Sequence, residues 1–142
     1  GSGGMPWRLE GGYGGDYDTP YGSGKGHPRG AGTHAKVLRM VREQKTITLM
    51  DAIARMTFLP AKFLDPMVPQ MQTRGRLQEG MTADITVFDP DTVTDNASFE
   101  EGKNTLPSTG IPYVIVNGTV VVDDSEVQTV PAGVAIRNET VQ

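Results

Sequence analysis

Gly75-Arg76-Leu77-Gln78-Glu79-Gly80-Met81-Thr82-Ala83-Asp84-Ile85-Thr86-Val87-Phe88-Asp89-Pro90 decides between helix and strand for the second half of this chain. Glycines at 75 and 80 permit the tight backbone turns that precede a strand and make a helix costly. Ala83 is small enough to pack beneath that strand. Asp84, at its start, is placed to accept backbone hydrogen bonds and fix the turn. Ile85 and Val87, with Thr86 and Phe88 beside them, read as a half-buried strand that Asp89-Pro90 closes. These are architectural roles.

Working toward the C-terminus, Tyr113 to Val116 and Thr119 to Val122 flank Asn117-Gly118. That dipeptide supplies the two positive φ angles of a type I′ turn, which predicts a hairpin. Val134 to Ile136 is expected to add a final short strand. Asn96, Asn117 and Asn138 each begin an N-x-Ser/Thr sequon; Asn117 is explained by its turn, and all three read as coincidence.

Working toward the N-terminus, the pattern changes to helices. Pro60 suits the first turn of a short helix anchored by Phe63 and Leu64. Thr48 is placed to cap a helix whose buried face is Leu49, Ala52, Ile53 and Met56, with Asp51 three residues on as in a capping box. Thr33 reads as the N-cap of a helix over Ala35 to Gln44, with Val37, Leu38 and Val41 buried and Lys36, Arg39 and Arg42 facing away. Gly11 to Gly26 is dominated by glycine, with Tyr13, Tyr17 and Tyr21 spaced by four, and reads as a long loop. Its Gly22-Ser23-Gly24-Lys25-Gly26 is not a phosphate-binding loop: Gly26 follows Lys25 where Ser or Thr belongs, and Thr19 stands where the earlier glycine belongs. Gly1 to Gly4 reads either as an appended linker ahead of a start at Met5 or as native sequence.

The chain has 142 residues, well short of the ~250 typical of a (β/α)8 barrel. Net charge is −4 with 37% hydrophobic residues, which gives no reason to expect a nucleic-acid or membrane partner. No apolar run approaches the ~20 residues of a membrane span and no signal-peptide pattern is visible, so a cytoplasmic protein is expected. There are no cysteines, which excludes disulfides and thiolate metal sites.

Two stretches together resemble the end of an amidohydrolase of the N-acyl-D-amino-acid deacylase (D-aminoacylase) type. One is His27-Pro28-Arg29-Gly30-Ala31-Gly32-Thr33, continuing through Val37-Leu38, Leu49, Ala52-Ile53, Met56-Thr57 and Leu59-Pro60-Ala61. The other is the run Gly75 to Pro90, followed by Val116-Asn117-Gly118. The Gly-x-Leu-x-x-Gly-x-x-Ala-Asp pattern is common to many amidohydrolases, and His-Pro-Arg-x-x-Gly-Thr narrows the resemblance to D-aminoacylases. It implies an α+β fold: two or three helices from the end of a (β/α)8 barrel, then a small antiparallel β-sheet belonging to a composite β-sandwich. The expected division is a glycine/tyrosine-rich loop over 1–32, barrel helices over 33–69 and a small β domain over 70–142.

The resemblance also implies chemistry that this chain does not carry. Such enzymes hold one or two divalent ions, usually zinc, which activate a water, and an aspartate after the last barrel strand handles protons. The His-x-His ligands of the first strand are not in these 142 residues, whose only histidines are His27 and His34. One helix does not present both to one ion. Gly3 stands where the family aspartate would be in Ser2-Gly3-Gly4-Met5. No catalytic residue and no metal ligand is therefore assigned here, and zinc is expected only in the complete enzyme.

Arg29 matches the arginine that binds the substrate's carboxylate in these enzymes, a task suited to the paired donors of a guanidinium. A surface arginine that merely caps the nearby chain is the other reading. His27 is expected to orient the loop or to lie exposed in it, and His34 to pack where relatives carry a bulky apolar residue. The expected function is that of a C-terminal fragment of a metal-dependent amidohydrolase, inactive alone, prone to self-association and meeting its small-molecule substrate only with the missing barrel. A stand-alone β module that pairs with a separately encoded barrel is the alternative.

Overall fold

A computed structural model describes residues 26–137, together with Arg8–Leu9, Gly12–Tyr13, 19–21 and 23. The reading of Ser2 to Trp7, most of the Gly11 to Gly26 loop and Asn138 lie outside these residues. Two compact units result, each drawing on two separate stretches of chain. The first takes residues up to Lys45 with Phe88–Ile111, and the second takes Thr46–Val87 with residues from Pro112 onward.

In the first unit, β1 (Arg8–Leu9) pairs antiparallel with β2 (Gly12–Tyr13). The helix α1 spans Arg29–Gln44, one and a half turns earlier than its sequence suggests. Thr33 is not its cap; its hydroxyl donates to the Arg29 carbonyl within the helix at 2.6 Å. Gly30 and Gly32 lower helix propensity, but packing overrides it. A Cβ on Gly32 would stand 3.0 Å from the Asp95 Cβ, so glycine lets the 90s segment lie close on the helix. Lys45 ends α1 in the left-handed region at φ 52°, its N–H bonded to the Val41 carbonyl.

Gly32, Ala35 and Leu38 are the buried positions of α1, and Val37 and Val41 are half-buried. Arg39 and Arg42 do not face away as expected. Arg39 Nε donates to Asp95 Oδ1 at 2.7 Å, and Arg42 Nη1 donates to the Val93 carbonyl at 2.8 Å. Both partners lie more than fifty residues on, which helical periodicity does not reveal. Val93 is fully buried, and Gly110, at φ 79°, lets the chain pass over it: a Cβ there would fall 2.6 Å from the Val93 Cα. Asp89 closes the preceding strand by accepting from the Asp91 N–H and the Thr92 hydroxyl, each at 2.9 Å.

The second unit holds α2 (Leu49–Met56), α3 (Phe58–Leu64), a 3₁₀ turn (Pro69–Thr73) and a four-stranded antiparallel sheet. Thr48 caps α2 as its sequence predicts, the hydroxyl accepting from the Asp51 N–H at 3.1 Å. Ala52 and Ala61 are the buried residues of the two helices. Phe63 and Leu64 are not anchors: Phe63 is 76% exposed, and Leu64 also reaches solvent.

The sheet order is β3 (Ile85–Val87), β4 (Tyr113–Val116), β5 (Thr119–Asp123), β6 (Glu126–Val127). Asn117 and Gly118 take φ 49° and 80°, the turn the hairpin requires. Val134 to Ile136 forms no strand and is exposed; among the described residues the last strand is Glu126–Val127, which continues the meander after a tight turn at Asp124 and Ser125.

Asp84 accepts a backbone hydrogen bond, as expected, but from the distant hairpin turn and not from the turn ahead of its own strand. Its Oδ1 accepts from the Asn117 N–H at 2.8 Å, while its other oxygen pairs with Arg74. Arg74 also donates to Asn117 Oδ1 at 2.8 Å, and Asn117 Nδ2 donates to the Ala132 carbonyl at 2.7 Å. These side chains tie the Gly75 to Pro90 run to the hairpin. The fold is thus α+β, with helices and a small antiparallel sheet, as the sequence implied.

Candidate functional site

The first unit contains a pocket of about 350 Å³ between one face of α1 and the chain around 95–99. Its helical wall is Gly32, Thr33, Val37 and Met40; the opposing wall is Ala97, Ser98 and the exposed ring of Phe99. The volume is at the lower end of small-ligand cavities, about 300–1,000 Å³.

His27 and Pro28 build the end of the pocket where α1 begins. Pro28 is buried and is the N-cap residue, where a missing N–H costs nothing because the first helical donors have no partner within the helix. His27 Nδ1 accepts from the Arg29 N–H at 3.1 Å, and its ring meets Phe99 edge-on with centroids 4.9 Å apart. His27 therefore orients the start of the helix while remaining exposed. His34 is exposed on α1, where packing was expected.

Arg29 occupies the first turn of α1 on the rim of this pocket. Its side chain is exposed and makes no ion pair or hydrogen bond among the described residues. Lys36, seven residues on, stands on the same helical face at a distance along the axis of about 10 Å, and it too has no ion-pair partner there. The one carboxylate at the pocket, Asp95, is engaged by Arg39. Burial opposes the charge on Asp95, but the Arg39 hydrogen bond, a backbone hydrogen bond and the charges of Arg39 and Lys36 together outweigh it and hold its pKa below the ordinary 3.8. Arg29 and Lys36 stand on the rim over apolar walls, with Lys36 also acting through its charge on Asp95. Sequence reasoning singled out Arg29 and had Lys36 facing away from the helix's buried side, and Lys36 is exposed.

Among the described residues, no group of three or more His, Asp or Glu side chains gathers to hold a metal ion. The zinc implied by the resemblance therefore does not fit the side chains of the described residues, and no chemical step is derived through it. No helix among the described residues is long and apolar enough to cross a membrane.

Residues 14–122 match the sequence pattern described as the amidohydrolase family. An N-acyl-D-glutamate deacylase of Alcaligenes xylosoxydans xylosoxydans is 46% identical over 96 residues, 67% of this chain and 18% of that protein. An N-acyl-D-aspartate deacylase of the same organism is 44% identical over 98 residues, 68% of this chain and 18% of the relative. Among solved structures, a D-aminoacylase described as defining a novel subset of amidohydrolases matches with a TM-score of 0.67 and 38% identity, covering 75% of this chain and 21% of that one. The N-acyl-D-glutamate deacylase of Bordetella bronchiseptica, complexed with zinc and a phosphonate inhibitor, matches with a TM-score of 0.60 and 48% identity, covering 67% and 19%. The chain thus spans about a fifth of the length of the relatives it matches.

Proposed function

Because the chain belongs to the amidohydrolase family, we propose that it is the C-terminal part of a metal-dependent enzyme that hydrolyses the amide bond of an N-acyl-D-amino acid. The zinc and its ligands belong to the remainder of that enzyme, as does the proton-handling carboxylate, and the 142 residues alone are inactive. The proposal includes a cytoplasmic location. What this chain contributes is a carboxylate receptor. Arg29 is fixed at a helix start by the His27 bond to its backbone, is free of any acidic partner among the described residues, and opens on a pocket. That observation favours substrate binding over the capping role. A guanidinium so placed offers a carboxylate two parallel N–H donors. The N-acyl-D-glutamate and D-aspartate deacylases among its relatives support a substrate bearing such a group.

The test is kinetic. The isolated chain with added zinc should show no turnover of N-acetyl-D-glutamate above background. In the complete enzyme, Arg29→Ala should raise KM roughly ten- to a hundred-fold while metal content stays unchanged, as expected for loss of a charged hydrogen-bond partner. An unchanged KM would reduce Arg29 to a capping surface residue, and turnover by the isolated chain would overturn the assignment of the chemistry elsewhere.

A further inference from the structure

Asn117-Gly118 carries a chemistry that its role in the hairpin does not use, and it is the one Asn-Gly pair in the sequence. Glycine has no side chain to shield its backbone nitrogen, which is therefore able to attack the side-chain carbonyl carbon of Asn117, Cγ. A bond forms between Gly118 N and Asn117 Cγ, the Cγ–Nδ2 bond breaks, and Nδ2 leaves as ammonia with the proton from Gly118 N. Water then opens the cyclic imide at either carbonyl, giving an aspartate or an isoaspartate. No other reactant is needed.

The fold opposes each part of this step. Asn117 Oδ1 accepts from Arg74 Nη2 at 2.8 Å and Nδ2 donates to the Ala132 carbonyl at 2.7 Å, so the amide is held at both atoms. The attacking nitrogen is engaged elsewhere, its N–H donating to the Ala83 carbonyl at 2.9 Å. Asp84 steadies both sides of the arrangement, accepting from the Asn117 N–H and pairing with Arg74. We propose that Asn117 is a site of spontaneous deamidation, held closed in the native turn by Arg74 and the Ala132 carbonyl, which reacts only when this corner of the second unit opens. The product alters the fold. A carboxylate oxygen in place of Nδ2 has no proton to give the Ala132 carbonyl, so deamidation frees the stretch around Ala132 from the hairpin.

The full chain would be incubated in mildly alkaline buffer, with and without unfolding concentrations of guanidinium chloride, and deamidation read at each asparagine by peptide mass spectrometry. In the denaturant, Asn117 should convert faster than Asn96 and Asn104, which precede Ala97 and Thr105. Equal rates at the three would overturn the site. In plain buffer the Asn117 rate should fall at least roughly tenfold, since attack waits on local opening. An equal rate in both conditions would overturn the closed turn. Arg74→Met should raise the rate in plain buffer at least roughly tenfold at Asn117 alone, through loss of a charged hydrogen-bond partner. No rise, or a rise in the same proportion at Asn96 and Asn104, would overturn the hold by Arg74. Asn117→Asp gives a second reading that does not depend on how well that variant folds, because Asp-Gly also suits the turn. Hydrogen exchange should quicken at the Val130 and Ala132 amides, which donate to the Gln128 and Val130 carbonyls, while the strands of the hairpin stay protected. Unchanged exchange at those two amides would overturn the release of the Ala132 stretch.

Discussion

Asp95 joins the pocket to the helix that forms it. Its carboxylate is 10% exposed and takes the Arg39 Nε at 2.7 Å, while Arg39 is also bonded to Glu43 one turn along α1. Removing the charge should cost about 1 kcal/mol, less than for a buried pair because Arg39 remains 30% open to solvent. The pH dependence follows from the lowered pKa. A depressed carboxylate stabilises the fold above its unfolded value, ordinarily 3.8, and that contribution is lost as pH falls through the folded value. Urea unfolding should therefore show Asp95→Asn weaker than the parent at pH 7, with the gap closing below about pH 3.8. A gap of the same size at pH 3 would mean that packing, not charge, holds the 90s segment to α1.

At the level of elements, Gly75 and Gly80 separate backbone conformation from steric approach. Both have positive φ, 73° and 81°, but an added Cβ at Gly80 meets open space, whereas at Gly75 it would fall 2.6 Å from the Thr57 carbonyl and 2.7 Å from the Ala61 Cβ. Gly80→Ala should cost about 1–2 kcal/mol, the usual penalty of a left-handed conformation. Gly75→Ala should cost distinctly more, because α3 must move from the turn. Denaturant midpoints of the two variants decide the matter, and equal losses would show that α3 yields freely. The same contrast explains what the sequence disclosed. Asn117-Gly118 and Thr48 announce themselves because each acts on backbone within a few residues. The start of α1 was missed because glycine's local cost at 30 and 32 argues against a helix, while the tertiary use of Gly32 against Asp95 has no local sign. Phe63 and Leu64 were misjudged because apolar character says that a face is sticky, not that this chain covers it. Arg29 was singled out only through the His-Pro-Arg run, since nothing local separates a carboxylate-binding arginine from a surface one.

At the scale of the whole molecule, the second unit carries large apolar side chains that it leaves exposed. Met50 is 69% exposed, Phe63 76% and Leu77 85%, and Leu59 and Met67 are each half open. Its core, by contrast, contains small residues such as Ala52 and Ala61. Burying a large apolar side chain contributes about 1.5–3 kcal/mol, so several left in water favour association. In a complete deacylase, the rest of the enzyme would meet these surfaces; the chain alone should meet them with a second copy of itself. Light scattering over a dilution series should then show a mass above 15.3 kDa that falls on dilution. Phe63→Lys should shift that equilibrium toward monomer, since a charge at so exposed a position costs the fold little but opposes burial in an interface. A monomer at every concentration, with a cooperative melt, would show that the chain needs no further cover, and a self-contained module pairing with a separate barrel would then become the better account of it.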